Sequence, residues 1–316
     1  MRALPAPLLN GHPAQAETEI LSIDRKFLIT VEMGRACPIG RKIAMASPPL
    51  VFSASKHCYT SVFILWDRLN EESFFQPYYS TCCSAVAHVH LNSTLLCAEI
   101  LPQELTNMPL FWNEEQLAWL EGSYLLQQVA DRKENIKRDY EQILTVAPEL
   151  ADIASLHDFM WARMIVASRN FGVTIDGRKT DAMVPYADML NHYRPRETKW
   201  TFNSLRQCFT ITSTTPLLKG QQVYDSYGKK CNSRFLLNYG FAVEHNRDDD
   251  SGQNHNEVRL ILSLEPPAVD PWFQHKMSQL LRAGIATGSA RESRLPLITA
   301  CSAVCTAATH IVSISQ

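Results

Sequence analysis

The sequence predicts an α+β protein made of short twisted sheets and separate helical segments. Its strand-like runs are brief: 20–23, 27–31, 208–212, 222–224 and 257–262 alternate or run apolar over a few residues only. They are not spaced by regular crossover helices, so a doubly wound parallel sheet is not expected. Helical periodicity is instead concentrated between residues 56 and 169.

Composition narrows the function classes. The 316 residues are 46% hydrophobic and 20% charged, enough for two domains and a sizeable core. A net charge of -2 gives no general attraction to nucleic acid or membrane, so neither is expected as a direct partner. Nine cysteines, an odd number without CxxC pairs, point to reduced thiols rather than disulfides and to no metal site. The compartment this implies is intracellular, cytoplasm or nucleus, with a plastid also open. Residues 1–18, rich in Pro and Ala with one Arg, read as an atypical N-terminus and not as a secretory signal. Residues 296–316 are small and polar with His310 inside, so they read as a tail; a membrane span needs about 20 strongly apolar residues.

Taken in order, 19–31 carries two strands, Ile20 to Ile23 and Phe27 to Val31. A helix over 56–69 points Val62, Phe63, Leu65 and Trp66 inward. Residues 81–100, uncharged except for Glu99, read as an inserted loop. The next helix runs from Asn113 to about Val146. Asn113 and Gln116 have the form of a capping box, and Glu114 and Glu115 suit the positive helix end. Leu117, Leu120, Tyr124, Leu125 and Val129 share one face, and the charged run 131–139 reads as a solvated one. A helix over 155–169 carries Phe159, Met160, Ala162, Met164 and Ile165. An apolar turn at 183–185 leads into Asp188-Met189-Leu190-Asn191-His192, then a polar stretch, the strand 208–212, a turn at Lys219-Gly220 and the strand 222–224. A helix over 232–238 ends in Tyr239-Gly240-Phe241. A polar linker, 245–258, precedes a last helix over 270–284.

The order of three motifs is more specific than any of them alone. PYADMLNH (185–192), DSYGKKCN (225–232) and LLNYGF (236–241), with Ser168-Arg169-Asn170-Phe171 upstream, resemble the SET-domain methyltransferases. The likeness is to the branch with a split SET domain and a helical C-terminal domain, that of the Rubisco large-subunit lysine and actin-histidine methyltransferases, and covers most of 19 to about 290. It implies a SET core of short twisted sheets divided into 19–104 and 169–245, with 81–100 inserted. A helical subdomain at 105–168 interrupts that core. A partial helical substrate domain follows at 246–295, the truncated counterpart of the family's. One departure stands out. The family carries a Gly-x-Gly cofactor turn before the first strand matched here, where this chain has Asn10-Gly11-His12.

The resemblance also implies a chemistry: methyl transfer from S-adenosylmethionine to a lysine of a protein substrate, by a monomer. Tyr227 is then the catalytic tyrosine at the mouth of a narrow channel; a buried core tyrosine ending a strand is the plainer alternative. Arg169, Asp188, Met189, Leu190, Asn191, His192, Tyr239, Gly240 and Phe241 are the implied cofactor-binding residues. Within that set Asp188 reads as a structural hydrogen-bonding residue rather than a base. Phe171 and Ala187 are the implied substrate positions. Histidine-directed relatives carry Asn and Trp there, so the acceptor expected is lysine, with histidine the lesser alternative. A catalytically weak SET-like protein-binding module is the reading from another class.

Overall fold

Thr30 ends one strand and starts one helix, and this economy is typical of the chain. A computed structural model describes residues 15–79, 100–248, 251–256, 259–260, 267–282 and 298–299. The chain divides into two compact units, one up to residue 253 and one from 254 onward.

The first unit has three small sheets among its described residues. In one, β1 (Glu19–Asp24), β7 (Cys208–Ser213) and β6 (Thr198–Asn203) run antiparallel in the order β1-β7-β6. The second has the order β2-β4-β3, from β2 (Ile29–Thr30), β4 (Arg178–Met183) and β3 (Asn170–Ile175). The third pairs β5 (Asn191–His192) in parallel with β8 (Tyr224–Asp225). The chain is α+β, with twisted sheets too short to form a single layer.

Helices make up the rest: α1 (Val31–Ala36), α2 (Pro38–Ala44), α3 (Ser55–Asp67), α4 (Gln76–Tyr79), α5 (Glu114–Ala118), α6 (Tyr124–Val146), α7 (Leu150–Ile153) and α8 (Leu156–Arg169) precede β3. After β8 comes α9 (Asn232–Tyr239). The second unit holds α10 (Phe273–Arg282) and the antiparallel pair β9 (Arg259–Leu260) and β10 (Ile298–Thr299).

Two apolar cores follow from this layout. One is helical and gathers Val62, Ile64 and Leu65 of α3, Ile136 and Ile143 of α6, and Phe159 and Ile165 of α8. The other lies between the sheets, around Phe171, Val173, Phe209, Ile211 and Val223. Each fully buried Leu, Ile or Phe contributes about 1.5–3 kcal/mol relative to exposure. Close approach of α1 to α3 depends on Gly34, where a Cβ would fall 2.3 Å from the Tyr59 carbonyl oxygen.

Several expectations are corrected. The second strand does not reach Val31: Arg25–Phe27 form a 3-10 turn, and the Thr30 hydroxyl accepts the Met33 N–H, so α1 begins at Val31. Helices α1 and α2 were not anticipated from the sequence. The Asn113 capping box is present, but the single helix 113–146 is two, because the chain turns at Gly122 (φ 75°) and the Ser123 side chain caps α6 anew. The run 131–139 is not wholly a solvated face, since Ile136 and Asp139 are buried. The polar stretch before 208 contains β6, and the run 222–224 is a strand only at Tyr224–Asp225. The inserted loop lies outside the described residues apart from Ile100, as do residues 1–14 with Asn10-Gly11-His12 and most of the 296–316 tail.

Candidate active site

The parallel pairing of Asn191 with Tyr224 and of His192 with Asp225 brings the two halves of the motif together. His192 Nδ1 accepts the backbone N–H of Tyr227 at 3.0 Å, and the two rings stack with centroids 5.3 Å apart. The Tyr227 hydroxyl donates to the Leu190 carbonyl at 2.7 Å. One tyrosine is thus fixed at both ends by the Leu190-Asn191-His192 segment.

A cavity of about 210 Å³ opens beside this tyrosine. Arg169, Phe171, Ala187, Asp188, Leu190, Tyr227 and Tyr239 all lie on its wall. Met189, Asn191, His192, Gly240 and Phe241 do not; of these, His192 and Phe241 stand behind Tyr227. The Phe241 ring packs on Phe235 (5.1 Å) and His192 (6.0 Å), and Tyr227 stacks on Tyr239 (4.8 Å). Gly240 ends α9 in the left-handed region (φ 76°), and a Cβ there would fall 1.9 Å from Asn107 Nδ2, so glycine is required on both counts.

Each wall residue is placed by its element. Arg169 is the last residue of α8, and the strand β3 that follows puts Phe171 on the inner face. Tyr186 adopts φ 77°, a costly backbone for a non-glycine residue, and this kink starts the 3-10 turn that carries Ala187 and Asp188 to the wall. The Asp188 carboxylate accepts from the Tyr78 hydroxyl (2.5 Å) and from Arg169 Nη1 (3.1 Å). Burial pushes the Asp188 carboxyl up, and Arg169 and Tyr78 oppose it. Burial also works against the Arg169 charge, but Asp188 and Tyr78 outweigh it and hold the guanidinium protonated. Burial raises the Tyr227 phenol above its usual range, with Arg169 the main opposing charge, so the phenol keeps its proton.

Further wall residues were missed by sequence reasoning, notably Asn170, Trp200, Asp225, Ser226 and Lys230. Trp200 sits edge-on to Phe171 (5.4 Å) and stacks on Phe209 (5.9 Å). The alternation Trp200-Thr201-Phe202 ahead of β7 was the available signal for it. Asn170 Nδ2 lies 3.2 Å from His57 Nε2.

Two histidines link this region to pH. Burial, followed by the charges of Arg194 and Lys230, lowers His192 to about 4. Burial, followed by Arg163, lowers His57 to about 4 as well. An unfolded histidine takes up its proton near 6.5. Above that value the folded state keeps the full benefit of two neutral imidazoles. As pH falls from 6.5 toward 4, the unfolded state binds protons that the folded state refuses, and stability drops. Thermal unfolding midpoints measured through that window are expected to decline steadily, and a flat profile would sink the assignment of neutral, buried rings.

No group of three or more His, Cys, Asp or Glu among the described residues could hold a metal ion. Nor is any described helix long and apolar enough to cross a membrane.

No family model matches the chain. The actin-histidine N-methyltransferases of Papio anubis and Homo sapiens are each 26% identical to it over 285 residues, which is 87% of this chain and 42% of theirs. The chain therefore spans under half the length of these curated relatives. Among solved structures, Rubisco LSMT bound to sinefungin and monomethyllysine superposes with a TM-score of 0.62 at 25% identity, covering 87% of this chain and 56% of that one. The SET domain of LSMT bound to methyllysine and AdoHcy gives 0.63 at 24% identity, covering 90% and 60%. The fold is that of a SET domain. More narrowly, the chain is similar in sequence to the actin-histidine N-methyltransferases and in fold to Rubisco LSMT.

Proposed function

We propose that the chain is a protein-lysine methyltransferase that uses S-adenosylmethionine. The observation that carries this is the Tyr227 phenol, held by Leu190 and His192 on the wall of a cavity it shares with Arg169 and Asp188.

The residues present suit the amino-acid end of that cofactor. Asp188 Oδ1 is buried with no hydrogen-bond partner among the described residues, and can accept from an ammonium. Arg169 uses only Nη1 toward Asp188, which leaves the rest of its guanidinium fork for a carboxylate. When bound, S-adenosylmethionine supplies a methyl group activated by its sulfonium. The chain's task is to align the acceptor, strip its water and keep it neutral. Free lysine titrates near 10.4, and desolvation pushes that value down. Phe171, Trp200 and Tyr239 provide the apolar walls that do this. Because the Tyr227 hydroxyl gives its proton to Leu190, its oxygen is left to accept an N–H of the incoming amine. Positioning of this kind is worth several kcal/mol.

Phe171 and Ala187 favour lysine over histidine. Neither offers a hydrogen bond to an imidazole, and buried Ala187 leaves room for an aliphatic chain. Asn170 is engaged with His57. The histidine reading is supported by the names of the sequence relatives. Incubation of the protein with methyl-labelled S-adenosylmethionine and a protein extract, followed by amino-acid analysis, is expected to yield methyllysine. Methylhistidine as the sole product would overturn the acceptor assignment. Cofactor binding with no methylated product would favour a SET-like binding module.

A further inference from the structure

We propose that Lys230 is a methyl acceptor for its own cavity, modified in the absence of any protein substrate. This rests on reading the cavity as a methyl-transfer site, but nothing in that reading requires it.

Lys230 follows Tyr227 by three residues and lies on the same wall as Arg169, Phe171 and Tyr239. Its ammonium donates to the backbone carbonyl of Tyr227 and stands 5.8 Å from the Tyr239 ring centroid. The amine passes close over Gly228, whose φ is 90° and whose Cβ, if present, would be 3.4 Å from Nζ. Several lysines elsewhere in the described residues are held by carboxylates, among them Lys56 by Asp181, Lys229 by Asp248 and Lys199 by Glu17. Lys230 is half-buried and has no carboxylate within ion-pair distance among the described residues, only a carbonyl that its side-chain torsions can release. Burial and the nearby Arg234 lower its pKa, which enlarges the neutral, nucleophilic fraction. A four-carbon stem with free rotation lets Nζ sweep the wall it already lies on.

The step balances without a further reagent. The ammonium of Lys230 loses a proton to water. Its nitrogen lone pair then forms a bond to the sulfonium methyl carbon as the sulfur–methyl bond breaks. That bond's electron pair stays on sulfur, leaving S-adenosylhomocysteine and a monomethylated ammonium. A surface lysine capping a carbonyl would share the hydrogen bond but not the reactivity.

Two measurements test this on the full chain. Acylation of Lys230 by an N-hydroxysuccinimide ester across pH, read by peptide mass spectrometry, is expected to set in at lower pH than for Lys229. Incubation with S-adenosylmethionine alone is expected to add one methyl group, mapped to Lys230, at a rate per molecule independent of protein concentration. The gain should vanish in Lys230→Arg. A thermal shift with S-adenosylmethionine but no methyl on Lys230 overturns the proposal while the cofactor site stands. A rate that rises with protein concentration, or methyl on other lysines only, overturns it too. No thermal shift at all removes the cavity reading and this proposal together.

Discussion

Tyr227→Phe is expected to lower methyl transfer on the order of a hundredfold, the usual effect of removing one oriented hydrogen-bonding group from a transition state. S-adenosylmethionine binding should survive. The reason is that the variant loses a single oxygen. The phenylalanine ring keeps its stack on Tyr239 and its place beside His192, and the backbone N–H of residue 227 still reaches His192 Nδ1. What disappears is the hydroxyl whose proton is committed to Leu190 and whose oxygen is proposed to accept from the incoming amine. Burial holds the phenol protonated, so it acts as an oriented dipole and not as a base. The loss should therefore be the same across neutral and alkaline pH. Single-turnover methylation, paired with calorimetry for the cofactor, measures both halves. Wild-type turnover in Tyr227→Phe would remove the assignment, and loss of cofactor binding would mean the hydroxyl does something other than orient an amine.

Several residues of this cavity's wall, Arg169, Phe171, Ala187, Asp188, Leu190, Tyr227 and Tyr239, were singled out in the sequence by resemblance. The pair Asn191-His192, the pair Tyr227-Gly228 and the helix ending in Gly240 are short motifs recognised by resemblance, and it is the pairing of β5 with β8 that brings the first two together. The side chains that complete the wall are harder. Trp200 matters only because β6 pairs with β7 and turns it toward Phe171, a relation fixed by register between strands. The separation of wall residues from those behind it was also invisible. Asn191 and His192 adjoin Leu190 in sequence, yet only Leu190 lines the cavity, since β5 turns the chain into its pairing with β8. Among helices, periodicity found α3, α8 and α9 but ran straight through Gly122, because a single glycine breaks a helix only where tertiary packing offers a turn. It also read Asp139 as one more member of a charged surface run. That error concealed the buried ion pair of Asp139 with Arg163 in the helical core.

Asp139→Ala is expected to cost about 3–5 kcal/mol of stability, the range for breaking a buried ion pair by removing one partner. Asp139 and Arg163 have side-chain exposures of 0% and 4%, with Nη1 to Oδ2 at 2.7 Å. Ser53 adds its N–H (2.9 Å) and hydroxyl (2.5 Å) to the same carboxylate, and Arg163 Nη1 also reaches Cys58 Sγ at 2.9 Å. Burial raises the Cys58 thiol well above its usual range, so it remains a neutral partner. The variant leaves a guanidinium in an apolar core with its Nε already unpartnered. Removing both charges should hurt far less: Asp139→Leu with Arg163→Met replaces the pair by apolar volume and is expected to recover most of the loss. Denaturant unfolding of wild type, Asp139→Leu, Arg163→Met and the double variant measures the coupling. A double-variant loss equal to the sum of the two single losses would show that the charges add no specific interaction. The effect should also extend to the cavity. Helix α3 carries Cys58 to this pair and the adjacent His57 to Asn170, while α8 carries Arg163 to it and ends at Arg169. The ion pair that holds α3, α6 and α8 together thus stands behind the helix end that presents Arg169. Asp139→Ala is accordingly expected to weaken cofactor binding even at temperatures where the variant remains folded.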